Sequence, residues 1–249
     1  MSGHSKWHTI KHKKGAADAK RGKVFTRIIK EITIAARNGG GDPDANPRLR
    51  TIIAEAKSVN MPADNIKRAI RRGTGEEAGV VYEEVTYEGY GPGGAAVIIE
   101  ALTDNRNRTV GEIRHLLTKH GGKLGEPNSV VRMFDKKGYI VVGKAKASED
   151  ALMSAALDAG ADDMREDGDN WEILSAPDHY QPVLEAVKAL GIEPDAAEVS
   201  MLPQTYVKLV GKEAQQMVRL MDVLDENEDV KQVWSNFDVE EQEIEASLA

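Results

Sequence analysis

The apolar residues of this chain change their spacing near residue 79, and one uniform architecture cannot serve both patterns. Before that point they recur every three or four residues, as on a helix with one buried face. After it they alternate or run β-branched, as in strands. The turn-rich segment 73–79 lies at the change and predicts a domain boundary there. Charge divides at the same place. Residues 1–75 hold 17 Lys and Arg against 6 Asp and Glu, a net of +11, while the 249-residue chain carries −8, which leaves −19 on the remaining 174 residues. Such a molecule attracts a polyanion at one end and repels it over the rest.

Three helices are expected in the basic part. Residues 16–38 place Val24, Phe25, Ile28, Ile29, Ile32 and Ala36 on one face and Lys20, Lys23, Arg27, Lys30 and Arg37 opposite, with Gly39, Gly40 and Gly41 as the stop. A second helix begins with Asn46 as N-cap and Pro47 in the first turn, carries Leu49, Ile52, Ile53, Ala56 and Val59, and ends near Asn60. The third spans 62–72 on Ile66, Ala69 and Ile70, with Gly73 as its terminator. Ahead of them, residues 1–15 are a basic arm with too few apolar residues to bury, expected to order against a partner or the next helix.

Beyond residue 79 strands are predicted near 81–88, 95–103, 130–142, 171–174, 198–202 and 230–239. Helices are predicted near 148–159, 180–190 and 212–224, and another where Thr109 and Glu112 have the spacing of a capping box. The expected fold is α+β: a three-helix bundle with a basic arm (1–79), then two α/β domains of mixed or antiparallel sheets with helices on one face, and a polar tail (241–249).

The chemistry is bounded by what the chain lacks. With no cysteine it has no disulfide, thiolate metal site or cysteine nucleophile. No apolar run approaches the ~20 residues of a membrane span and no signal-like segment opens it, so a soluble cytoplasmic protein with no membrane partner is expected. G-x-S-x-G, H-E-x-x-H and Walker patterns are absent, no catalytic residue stands out, and a non-enzyme is expected. Gly89 to Gly94 satisfies G-x-G-x-x-G, but a strand-like AAVIIEAL follows where a dinucleotide site needs a helix, so it reads as a hairpin turn. Asp163, Asp167 and Gly168 have a calcium-loop look, which Arg165 and Leu174 at ligand positions rule out. His4, His8 and His12 are four apart but sit among lysines that repel a cation. No metal or cofactor is expected.

The candidate site is a phosphate-binding surface. It comprises Lys6, His8, Lys11, Lys13 and Lys14 of the arm, Lys20, Arg21, Lys23, Arg27 and Lys30 of the first helix, and Arg48, Arg50, Lys57, Lys67, Arg68, Arg71 and Arg72 of the next two. Clustered cations of one sign gain affinity by displacing counterions from phosphates, on DNA or RNA alike. Trp7 either stacks on a base or pins the arm. Arg106 and Arg108 either add a second anion contact or are neutralised by Asp104 and its neighbours.

The stretches GHSKWHTIKHKKGAADAKRGKVFTRIIKEI and GGDPDANPRLRTIIAEAKSVNMPADNIKRAIRRGTGE, followed by YEGYGPGG, TDNRNRT and GGKLGEPNSVVRMF, closely resemble the YebC/PmpR family. That family also includes the mitochondrial translational activator of cytochrome oxidase subunit one. The resemblance implies that residues 80–131 join 204–240 in one α/β domain and that 132–203 form a second, inserted in it. It also implies a DNA-binding transcriptional regulator or, in other members, a translation factor acting on the ribosome. The resulting expectation is a non-enzymatic nucleic-acid-binding regulator that contacts DNA through its basic N-terminal domain. The alternative is a ribosome-associated factor that binds ribosomal RNA. For a DNA reader the helix with Lys67 to Arg72 is the groove element, although Asn65 is its one obvious base reader.

Overall fold

The computed structural model describes residues 17–240 and 242–244, with side chains from residue 22 onward. Helices α1 (Ala17–Gly39), α2 (Pro47–Ser58) and α3 (Ala63–Thr74) come first. Strands β1 (Glu83–Tyr90) and β2 (Ala96–Thr103), helix α4 (Arg106–Lys119), β3 (Lys123–Leu124) and β4 (Phe134–Gly143) follow. Next are α5 (Glu149–Asp158), β5 (Ala161–Asp167), β6 (Asn170–Ser175), α6 (Tyr180–Ala189) and β7 (Ala196–Pro203). The described elements end with β8 (Val207–Lys208), α7 (Gly211–Glu226), β9 (Val230–Ser235) and β10 (Phe237–Asp238). The fold is α+β.

The helical unit has its own core, in which Ile28, Ile32 and Ala36 of α1 meet Leu49, Ile52 and Ala56 of α2 and Ile66 and Ala69 of α3. Helix α2 starts where its sequence signals place it. The Asn46 carboxamide oxygen accepts the Leu49 amide at 3.1 Å, while its nitrogen donates to the Ala35 and Gly40 carbonyls, both at 2.9 Å. One buried side chain therefore joins the end of α1 to the start of α2. Gly73, expected as a terminator, lies inside α3. A Cβ there would come within 2.5 Å of the Thr33 carbonyl oxygen and 2.7 Å of the Ala36 Cβ, so the glycine allows α1 and α3 to cross in contact. Gly75, at φ 85°, ends the helix instead.

The first sheet has the order β3-β1-β2-β9. Strands β1 and β2 form an antiparallel hairpin around the glycine-rich turn, and β9 pairs with the far edge of β2, Ile98 opposite Trp234. In β2, Val97 and Ile99 face α4 and α7, whereas Ala96 and Ile98 pack with Val130, Phe134 and Trp234. Burial on both faces accounts for its nearly unbroken apolar run. The second sheet, β5-β6-β4-β7, is antiparallel throughout and lies wholly between β3 and β8 in sequence. Its Ile140, Val142 and Ile173 pack on Leu152 and Ala156 of α5 and Val183 and Val187 of α6. Two-residue β8 and β10 pair in parallel.

Four local expectations are corrected. Helix α4 starts three residues before the expected capping box: Asn105 accepts the Arg108 amide at 3.1 Å, and Thr109 is buried in the first turn. Strand β4 starts at Phe134 instead of near 130, because the Glu88 carboxylate accepts the amides of Asn128, Val130 and Val131 at 2.6, 2.7 and 2.8 Å and draws that segment out of the ladder. Strand β5, over the stretch weighed as a calcium loop, was not foreseen. Five of its seven residues are charged, a pattern typical of a sheet edge, and it pairs with β6 alone. The last predicted strand is broken at Asn236, whose side chain accepts the Ala96 amide at 2.7 Å and separates β9 from β10. Among the described residues no helix is long and apolar enough to cross a membrane.

Candidate nucleic-acid interface

Helix α3 presents the densest positive face. With Ile66, Ala69 and Gly73 turned to α1, Lys67, Arg68, Arg71 and Arg72 occupy roughly a 140° arc on the other side, and all four are exposed. Lys67 and Arg68 form no ion pair among the described residues, while Arg71 and Arg72 share Glu77 at 3.3 and 3.4 Å. The two arginines also stand in the last turn, where a cation complements the helix dipole. The other end of α3 suits an anion poorly. Asp64 lies in its first turn, Pro62 makes no side-chain cap, and Asn65 is half-buried. Between α3 and the loop at Gly41 runs a groove of about 500 Å³ over Ile70, with Lys67 and Arg71 on its wall and Asp42 and Glu76 among its other lining residues.

On α2, Arg50 and Lys57 are seven residues apart and so project in nearly the same direction, both exposed. Among the described residues Arg50 reaches only the Pro43 and Asp44 carbonyls, at 3.4 and 3.5 Å. Arg48 points the opposite way and pairs with Glu84 of β1. Burial would push the Glu84 carboxyl up, but that guanidinium holds it below its ordinary value.

The first helix behaves differently from its sequence pattern. Arg27 is bound to Glu55 at 2.6 Å and lies 3.5 Å from Glu31. Burial raises the Glu31 carboxyl, against the opposing pull of Lys231 and Arg27. Lys30, expected on an open positive face, is only 7% exposed. Its ammonium donates to the Leu102 carbonyl at 3.1 Å, the Glu228 carbonyl at 3.0 Å and Asp229 Oδ1 at 2.9 Å. It is a joint between the helical unit and the first sheet, with its three donors occupied. Lys23 is half-buried. The backbone of Lys20 and Arg21 lies in α1, and Lys6, His8, Lys11, Lys13 and Lys14 fall outside the described residues, as do Trp7, His4 and His12.

Arg106 and Arg108 are neutralised. Arg106 pairs with Glu83 at 2.6 Å, and Arg108 with Asp104 at 2.8 Å and Asp229 at 2.7 Å. Asp229 is thus shared by Lys30, Arg108 and the Thr109 hydroxyl, the last at 2.7 Å. Burial alone would raise this carboxyl, yet the hydrogen bonds from Arg108, Lys30 and Thr109 bring it down to about 2. The sequence carries no signal for this centre, because its members are up to 199 residues apart and each is an ordinary surface residue type.

Residues 5–76 match the family model for the TACO1/YebC protein N-terminal domain, and residues 82–237 match the model for the TACO1/YebC second and third domains. A protein of Acidobacterium capsulatum named probable transcriptional regulatory protein is 65% identical over 243 residues, 98% of each chain. A protein of Koribacter versatilis with the same kind of name is 62% identical over 245 residues, again 98% of each. A conserved hypothetical protein of Aquifex aeolicus, known from its crystal structure, superposes with a TM-score of 0.78 at 44% identity, covering 90% of this chain and 92% of that one. The two curated relatives are named as regulators of transcription and not as enzymes, and by sequence and fold together this chain belongs to the TACO1/YebC family.

Proposed function

We propose that this protein is a non-enzymatic regulator of gene expression that binds the phosphate backbone of DNA through the exposed face of α3, extended by Arg50 and Lys57 of α2 and by the basic arm. The observation that carries this reading is the arc of Lys67, Arg68, Arg71 and Arg72, exposed on a unit of opposite charge to the rest of the molecule. The names of its relatives support regulation of transcription as the setting. Contact is mainly to phosphate, since the start of α3 holds an acid and lacks a set of base-reading side chains.

That same feature favours one second reading. A surface that reads backbone and shape more than base edges serves structured RNA equally well, so a ribosome-associated factor binding ribosomal RNA is the alternative. Replacing Lys67, Arg68, Arg71 and Arg72 together by Ala should weaken binding to duplexes of any sequence and reduce the slope of log affinity against log salt by about one for each phosphate no longer neutralised. Binding at native strength would remove α3 from the interface. Crosslinking in cells, followed by sequencing of the attached nucleic acid, separates the two settings: promoters for the first, ribosomal RNA for the second.

A further inference from the structure

The chain turns back on itself where α3 ends. Gly75, in the left-handed region, reverses its direction, and the Glu77 amide donates to the Arg71 carbonyl at 3.2 Å. Two residues further on, a Cβ at Gly79 would come within 3.0 Å of Arg72 Cδ, so the segment lies along the stem of that arginine. This return path sets the Glu77 carboxylate over the last turn of α3. Its Oε2 accepts Nε and Nη2 of Arg71 at 3.4 and 3.3 Å, and its Oε1 lies 3.4 Å from Nε of Arg72. Lys67 and Arg68, one turn earlier, have no such partner among the described residues.

A phosphodiester, like a carboxylate, presents two free oxygens that share one negative charge, so a single backbone phosphate satisfies the same two arginines. The side chains of Arg71, Arg72 and Glu77 are 48%, 39% and 34% exposed, and ion pairs in such contact with water are weak enough to be exchanged. The carboxylate is tethered beside the arginines, at an effective concentration on the order of millimolar, and a free phosphate ion must compete with it from solution. A nucleic acid already held by Lys67 and Arg68 is tethered as well, and competes on equal terms. We propose that Glu77 is a built-in competitor for the α3 site: it holds the place of one phosphate in the free protein, is displaced by a nucleic-acid backbone, and excludes isolated phosphate ions. This rests on the reading of α3 as a phosphate-binding face and adds that the face selects polyanions over single anions.

The test uses the full chain and a fluorescein-labelled DNA duplex, read by anisotropy at low salt. Glu77→Gln, which keeps the shape of the side chain and removes its charge, should bind about threefold to tenfold more tightly, the worth of two exposed ion pairs. Glu76→Gln makes the same charge change one residue away, on a carboxylate that accepts the Thr74 hydroxyl at 3.0 Å, and should gain less than about twofold. In a chain already carrying Arg71→Ala and Arg72→Ala, Glu77→Gln should gain no more than Glu76→Gln does in the native chain. With isotope-labelled arginine, inorganic phosphate should shift the Nε–H resonances of Arg71 and Arg72 in Glu77→Gln and leave them in place in the native protein. Equal gains from the two glutamine variants, weaker binding by Glu77→Gln, a gain that survives the loss of both arginines, or equal phosphate-induced shifts in native and variant would each overturn the inference and leave the proposed function standing. A native chain that binds no duplex would overturn that function, and this inference with it.

Discussion

Asp229 illustrates how much one side chain can decide. Its folded carboxyl is a stronger acid than the ordinary 3.8, so on acidification the unfolded chain takes up the proton first. The stabilisation this provides, on the order of 2 kcal/mol, is complete above about pH 4 and is lost as pH falls through about 2. Asp229→Asn should cost about 3–5 kcal/mol at pH 7, since it strands the Lys30 ammonium among carbonyls. In denaturant titrations the gap from the native protein should narrow at pH 2. Replacing Lys30 by Met and Asp229 by Leu together should recover part of the stability. Gly73 decides by having no side chain. Gly73→Ala should destabilise by about 1–3 kcal/mol despite the better helix propensity of alanine, because the added methyl meets the Thr33 carbonyl, which is backbone and cannot rotate away. A melting curve equal to that of the native protein would show that the two helices can separate freely. Neither role could be read from the sequence: a glycine near a helix end is more often a cap, and a lysine opposite an apolar stripe is more often solvated.

Elements with a local code were legible. Helix α2 could be located from Asn-Pro alone, because capping and a fixed proline φ act within one turn. The cap nevertheless has a second duty that its motif does not reveal. Asn46→Ala should cost about 2 kcal/mol or more, beyond an ordinary cap, because two carbonyls at the end of α1 are also left without their donor. Asn46→Asp, which keeps the acceptor, should rescue only part of it in the same unfolding measurement. Elements whose limits depend on distant partners were misplaced. Strand β4 starts late because Glu88, more than 40 residues away, takes its preceding amides, and β5 was missed because an edge strand needs little apolar patterning. For the candidate site, the α3 cations were legible from their helical spacing. The removal of Lys30 and Arg27 into ion pairs was not, and for Arg106 and Arg108 pairing with nearby carboxylates was one of two readings the sequence left open.

At the scale of the molecule, the second sheet and its two helices form a continuous segment with a core of their own, while the first sheet needs β9 from the far end of the described chain. Residues 134–203 expressed alone should therefore unfold in one cooperative thermal transition. Residues 80–133 alone should not, since they lack β9 and the α7 face that buries Val97 and Ile99. A cooperative transition in the second fragment would mean that β1, β2 and α4 hold together without their late partners. The sequence alone determined the class of the elements, the change from helix to strand near residue 79, and the opposition of a basic end to an acidic remainder, because periodicity and net charge are sums over neighbours along the chain. Tertiary structure alone decided which cations stay free and where the helical unit is anchored. Those outcomes depend on pairings across up to 199 residues, whose energies no local pattern encodes.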